Sequence, residues 1–192
     1  TLFAVQHSLM ARKSFKQWWT QYVPKSVERS TYVLVTALVL GLLYWQWQPL
    51  EGMVWQVQGE AGRGVLWALY WAGWVILFLA TFMINHFDLF GLRQVYLRLK
   101  NEPYTPVPFV KFAFYRFVRH PIMLGLLIAF WAAPVMSMSH LLFSLATTAY
   151  IFIGIFLEER DLRRAHGEAF YQQYRREAHM ILPLPRGKSA QD

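Results

Sequence analysis

The chain has 192 residues, of which 56% are hydrophobic, 18% aromatic and only 16% charged, so it carries too little polar surface to cover a water-soluble globule of its size. Its formal net charge of +8 would suit a nucleic-acid binder. The cations, however, are spread over short stretches that flank apolar runs, a pattern explained by membrane orientation and anionic lipid and not by nucleic acid. With no cysteine there is no disulfide frame, thiolate zinc site or cysteine nucleophile, and any sulfur nucleophile must belong to a substrate.

From the amino terminus, Leu2 to Met10 is apolar but too short to cross a bilayer, and the chain opens on Thr1 without Met. The upstream part of a helix is therefore expected to precede it; a cleaved signal peptide is the weaker alternative. Four runs then have the length and apolarity to cross roughly 30 Å of hydrocarbon: about Thr31–Leu50, Gly64–Ile84, Ile122–Ser137 and Leu141–Leu157. The last two are short and are expected to form a tight hairpin turning at Met138-Ser139-His140. Between the second and third runs, Pro103, Pro106 and Pro108 break the loop. Phe109 to Arg119 then interleaves aromatics with Lys111, Arg116 and Arg119 in the manner of an interfacial helix with snorkelling cations. Beyond Leu157, Glu158 to Arg176 has helical spacing, with Leu162, Ala165 and Ala169 on one face and Glu159–Arg163 as an i,i+4 pair. Gly167 and Pro183/Pro185 limit its continuity. The nine Trp, ten Tyr and fifteen Phe fit aromatic belts at the two interfaces.

Lys and Arg number five in residues 11–30, six in 85–121 and seven in 158–192, leaving only Arg63 elsewhere. These basic segments fall on one side of a four-span alternation, which places the carboxyl terminus in the cytoplasm. The expected fold class is all-α: a polytopic helical integral membrane protein with four full spans plus an amino-terminal helix, five in all, and a cytoplasmic helical tail, in one domain over 1–192. A bacterial inner membrane is the expected location. No internal repeat and no obligate protein partner is evident.

The chemistry-bearing residues gather at the cytoplasmic mouth. Arg119-His120-Pro121 opens the third span and Glu158-Glu159 closes the fourth, so the hairpin sets acid against base. Opposed charges at one depth could grip a zwitterion, since Arg offers a planar fork to a carboxylate and a carboxylate accepts from an ammonium; equally, they could be ordinary topological anchors. Asn85-His86-Phe87-Asp88 follows the second span, where ionisable groups are costly and read as functional. His86 could take a proton, with Asp88 orienting it, and His7 could reach the same place. The alternative makes His86 a helix-end packing residue. His7, His86 and Asp88 match no standard metal-site spacing. His140 falls on the opposite face, and His166 and His179 read as solvated tail residues. Gly59, Gly62 and Gly64 have no strand before them and make no phosphate loop.

Tyr115-Arg116-Phe117-Val118-Arg119-His120-Pro121, with Glu158-Glu159-Arg160-Asp161-Leu162 and then Tyr171, Tyr174 and Arg175, resembles the isoprenylcysteine carboxyl methyltransferase superfamily. Gln6-His7-Ser8, Trp18-Trp19, Val27-Glu28-Arg29-Ser30 and Asn85-His86-Phe87-Asp88-Leu89-Phe90-Gly91-Leu92 are similar to its methanethiol S-methyltransferase branch, and the likeness covers nearly the whole chain. The resemblance implies methyl transfer from S-adenosylmethionine to a small volatile thiol, methanethiol, giving dimethyl sulfide at the membrane lipid. It implies a cofactor region at about 109–185, with Tyr115, Arg119, His120, Pro121, Gly125, Glu158, Glu159, Tyr171, Tyr174 and Arg175 in contact; from residue chemistry, adenine is expected against Tyr171 or Tyr174, and His86, Asp88 and His7 are the candidates for catalysis. Met123 stands where the superfamily has a tyrosine, so that tyrosine contact does not carry over. Two alternatives remain: an isoprenyl-cysteine or phospholipid acceptor in the same superfamily, and a non-enzymatic membrane protein of nitric-oxide respiration.

Overall fold

The computed structural model describes residues 2–108 and 112–182. Lys111, Pro183, Pro185, Arg186 and Lys188, on which parts of the sequence reading rest, lie outside the described residues. The described chain is almost wholly helical and divides into two compact units, residues 1–49 with 84–109 and residues 50–83 with 110–192.

In the first unit, α1 (Leu2–Met10) packs on α3 (Lys25–Trp45), with α2 (Lys13–Trp19) between them in sequence. The short α5 (His86–Leu89) leads through Gly91 into α6 (Leu92–Leu99), and α6 also packs on α3. Gly91 has φ +81° and sits so close to the Ser30 backbone that a Cβ would collide with it. The turn is tied to α3 by two hydrogen bonds: Arg29 Nε donates to the Leu89 carbonyl at 2.8 Å and Ser30 Oγ to the Gly91 carbonyl at 3.0 Å. The glycine is required both by its left-handed backbone and by this contact.

The second unit holds β1 (Met53–Gln56), α4 (Glu60–Ile84 up to Met83), α7 (Pro121–Trp131), β2 (Val135–Ser137), α8 (Met138–His166) and α9 (Glu168–Glu177). Lys25–Trp45, Glu60–Ile84 and Met138–His166 are long and apolar enough to span a bilayer. The third run read from sequence is not a full helix. α7 has 11 residues, about 16 Å of rise, because Pro134 cannot donate to Phe130 and its ring excludes that carbonyl. The freed Phe130 oxygen accepts instead from Ser144 Oγ and His140 Nε2, both at 2.9 Å. His140 is thus the cap of a broken helix, and the turn lies at 132–137, ahead of the Met138-Ser139-His140 corner.

The chain bends at 132–134 and is extended only over Val135–Ser137 before α8 begins. Its non-helical backbone needs partners. It finds them in β1, which pairs antiparallel with β2, while Val57 N–H donates to the Pro134 carbonyl at 2.9 Å and Trp55 Nε1 to that of Ala133 at 3.0 Å. This two-stranded ribbon has no signal in the hydropathy pattern. Of the predicted interfacial helix only a 3-10 turn at Ala113–Arg116 is seen within the described residues.

Gly73 of α4 and Gly125 of α7 form a mutual close approach, each lacking the Cβ that would stand 2.6 Å from the other's carbonyl oxygen. Small residues at such a crossing let backbones approach closely. Gly73→Ala or Gly125→Ala is expected to cost about 1–3 kcal/mol by overpacking, whereas Gly154→Ala, which meets nothing within 4 Å, leaves stability unchanged. Thermal unfolding of the three variants in detergent reads this directly.

Candidate active site

At the mouth of α7, residues 117–120 lie beside 178–181 as a short parallel pairing. Arg119 N–H donates to the His179 carbonyl at 2.7 Å, His120 N–H to Met180 at 3.2 Å and His179 N–H to Phe117 at 2.9 Å. His179 is therefore part of the site's scaffold, not a solvated tail residue. This pairing aims Arg119 and His120 at the end of α8, where Glu158 and Glu159 follow the apolar run and lie outside the membrane-spanning part.

Arg119 and Glu159 meet. Arg119 donates to Glu159 Oε1 through Nε at 2.8 Å and Nη2 at 2.7 Å, and its Nη1 donates to the Ala178 carbonyl at 2.6 Å. His120 Nε2 lies 3.2 Å from the same oxygen, and its Nδ1 lies 3.4 Å from Glu158 Oε2. Tyr171 O–H donates to Glu159 Oε2 at 2.7 Å, and Tyr174 O–H to the Tyr115 carbonyl at 3.2 Å. The acid and base inferred as two jaws are thus hydrogen-bonded to each other, with the Arg119 and Glu159 side chains only 7% and 13% exposed; the carboxylate that remains open is Glu158, 61% exposed.

Charge follows from these contacts. Burial acts to raise the Glu159 carboxyl, but hydrogen bonds from His120, Tyr171 and Arg119 override it and hold the group at about 2. Burial likewise acts to depress His120, and the hydrogen bonds and charges of Glu158 and Glu159 outweigh it, so its pKa is raised. Burial raises the Tyr171 hydroxyl, as does its bond to Glu159, and Tyr174 is pushed up to about 12, chiefly by burial. Both rings are buried, and the Arg163 and Arg175 guanidinium carbons lie 4.5 and 5.9 Å from the Tyr171 centroid. These tyrosines serve the network through their hydroxyls and present no open face for an adenine. Leu162, Ala165 and Ala169 do not form a buried face; the buried side of the tail is Tyr171, Tyr174 and Ala178. Arg163, expected to pair with Glu159, is 3.6 Å from Glu168 instead. Pro121 starts α7 at its first turn, and Gly125 serves the crossing with Gly73.

The remaining predicted residues lie in the first unit. Asp88 engages Arg93 at 3.0 Å and the Tyr104 hydroxyl at 3.2 Å, so its carboxylate is committed away from His86. The His86 ring packs against Phe90 with centroids 4.7 Å apart. His7 is 2.9 Å from the Tyr32 hydroxyl and stacks on Phe3. Sequence reasoning missed the pairing of 178–181 with 117–120 and the Tyr32 partner. The signals were slight: apolar Ala178 and Ile181 near the chain end for the first, and a tyrosine at the very start of an apolar run for the second.

A helical membrane protein with a buried, charge-paired cluster at one end of a span hairpin is the class these features define. Residues 1–180 match the family model described as NnrU protein. Among curated relatives, the methanethiol S-methyltransferase of Mycobacterium tuberculosis is 55% identical over 184 residues, covering 96% of this chain and 75% of that protein. That of Crocosphaera subtropica is 50% identical over 188 residues, covering 98% and 73%. Nurim of Mus musculus is 31% identical over 170 residues, covering 84% of this chain and 64% of its own. The chain therefore belongs to the NnrU protein family, within it to the group of the methanethiol S-methyltransferases, and its enzyme class is methyltransferase. No solved structure matches it.

The network predicts a two-sided pH dependence. Glu159, lowered from its ordinary 4.5, gives stability that is present above 4.5 and lost as pH falls towards about 2. His120, raised from 6.5, gives stability that is present below 6.5 and lost as pH rises through its higher folded value. In Glu159→Gln, Arg119 loses its buried partner, at a cost of about 3 kcal/mol, and the acid arm vanishes; Glu158→Gln, at an exposed carboxylate, leaves the acid arm in place. Unfolding midpoints across pH in detergent measure all three proteins.

Proposed function

We propose that this chain methylates methanethiol from S-adenosylmethionine, producing dimethyl sulfide at a bacterial cytoplasmic membrane with its carboxyl terminus in the cytosol. The observation that carries the reading is the Arg119-His120-Glu158-Glu159 cluster. It joins two segments some 40 residues apart, and these are the segments whose motif resembles the cofactor-binding end of the superfamily. The names of relatives identical at half their positions support the acceptor.

The residues present fit a zwitterionic cofactor. Glu158 has an exposed carboxylate for an ammonium, and Arg163 and Arg175, both over the Tyr171 ring, supply cations for a carboxylate. When bound, S-adenosylmethionine supplies an electrophilic methyl group on a sulfonium. The protein's part is to hold that end of the cofactor, to keep water out with apolar helices and to let the thiol lose its proton, since the thiolate is the nucleophile. The sequence reading offers His7 and His86, both of the first unit, as histidines that could take that proton. His7 has the better-defined support, its ring held by Tyr32 and Phe3. Sulfur–carbon bond formation then accompanies cleavage of the methyl–sulfonium bond, and the neutral sulfide leaves through lipid.

The purified protein in detergent, given S-adenosylmethionine and methanethiol, should yield dimethyl sulfide by gas chromatography. Glu158→Gln should raise the KM for S-adenosylmethionine by roughly tenfold with a smaller change in kcat, the worth of one charge-assisted contact. His7→Ala should lower kcat and remove a limb of the pH–rate profile. Cofactor binding without sulfide would leave the methyltransferase and overturn the acceptor; a Glu158→Gln enzyme with unchanged KM would overturn the placement of the ammonium. A carboxyl-terminal reporter active only in the periplasm would reverse the orientation.

A further inference from the structure

Two histidines of the first unit are candidates for the thiol's proton, and their surroundings differ. The His86 ring packs on Phe87 and Phe90, with centroids 5.6 and 4.7 Å away, and the carboxylate expected to orient it, Asp88, is bound to Arg93 and to the Tyr104 hydroxyl. His7 is seated by groups on two helices. Phe3, one turn earlier on α1, stacks on its ring at 5.4 Å and 21°, and the Tyr32 hydroxyl of α3 lies 2.9 Å from both Nδ1 and Nε2.

Tyr32 is itself held in place. Arg29, one turn before it on α3, sets its guanidinium carbon 5.3 Å from the Tyr32 ring centroid while its Nε donates to the Leu89 carbonyl. One turn after Tyr32, Thr36 Oγ1 accepts from Gln6 Nε2 at 3.3 Å, which fastens α1 to α3 beside His7. Tyr32 is 7% exposed, whereas His7 is only partly buried, so the phenol acts through the imidazole and not on a substrate. A hydroxyl can accept the N–H of whichever ring nitrogen carries the proton. It then holds the imidazolium more strongly than the neutral ring, because a hydrogen bond from a charged donor is worth more.

We propose that Tyr32 is a positioning residue for methyl transfer: its hydroxyl orients His7, and His7, not His86, takes the proton of the acceptor thiol. The inference rests on the methyl-transfer reading. The S–H proton passes to a ring nitrogen of His7, and the electron pair left on sulfur forms the sulfur–carbon bond as the methyl–sulfonium bond breaks. The imidazolium afterwards returns its proton to water. Arg29 of α3 is the charge that acts on the His7 ring; α2, also packed on α1, carries Lys13 and Lys16, and α1 itself has no Asp, Glu, Lys or Arg. Tyr32→Phe alters none of these charges, so a change in the titration belongs to the hydroxyl.

The pH–rate profile of dimethyl sulfide formation, followed by gas chromatography on the whole chain in detergent, tests this in Tyr32→Phe, His7→Ala and His86→Ala. Tyr32→Phe should lower kcat about tenfold, leave the KM for S-adenosylmethionine unchanged and move the acid limb to lower pH by roughly one unit, the difference between a charged and a neutral hydrogen-bond donor. The acid limb should be absent in His7→Ala and present in His86→Ala. A kcat that falls in Tyr32→Phe with the limb in place would make the tyrosine a packing residue and overturn the proposal. So would a limb that survives in His7→Ala or disappears in His86→Ala, a comparison that does not depend on the Tyr32 variant. These outcomes leave the methyl-transfer reading standing, whereas an unaltered chain that forms no sulfide overturns that reading and this inference with it.

Discussion

Arg119 and Glu159 form a nearly dry ion pair at the point where three separate pieces of chain meet: the entry to α7, the later turns of α8 and the segment after α9. An isolated charge could not be left there, because desolvation would cost several kcal/mol for each ion. Each partner therefore fixes the other and recruits more donors and acceptors until the lone pairs are used. Tyr171 takes the second oxygen of Glu159, Ala178 accepts from the guanidinium, and His120 lies between two carboxylates that raise its pKa. The position of the tail follows from that accounting. Little apolar surface is available to hold α9, whose outer face carries Gln172, Gln173, Arg175 and Arg176, and the polar network supplies what packing does not.

The network also changes what the cluster can offer a ligand. Charges that satisfy one another cannot at the same time grip something else, so the charges left open are those of the rim: Glu158, which shares His120 but keeps an exposed carboxylate, and the guanidinium groups over Tyr171. The buried pair is joined to Glu158 through His120, which contacts both carboxylates.

Much of this was legible in the sequence, for identifiable reasons. The long helices announce themselves through uninterrupted apolar runs, and the meeting of Arg119 with Glu159 follows from a hairpin between two runs of known direction. Gly167 marks the break between α8 and α9 because a glycine after a basic last turn is a helix stop. What escaped was tertiary in origin. Hydropathy cannot distinguish Ile122–Ser137 as a full helix from a helix that Pro134 halts, since Ala132, Ala133, Val135 and Met136 are apolar in either conformation. It also cannot show that Met53–Gln56 is the partner of 135–137, because that pairing depends on backbone groups that any sequence supplies. Asp88 was read as the partner of His86 from nearness in sequence, but the turn through Gly91 brings Arg93 back to it first.

The broken helix α7 has a bearing on how the chain reaches its membrane. Eleven apolar residues fall well short of the length by which a segment is recognised and released into lipid alone. The 132–137 stretch, with its unpaired backbone, could not enter the hydrocarbon until β1 and the side chains of α8 are there to satisfy it. Residues 121–157 must then insert as one hairpin, after the 53–56 segment has been made and kept close by. The half of the molecule that carries the charged cluster is thus assembled by co-insertion, and its biogenesis is cooperative in a way that the three continuous helices are not.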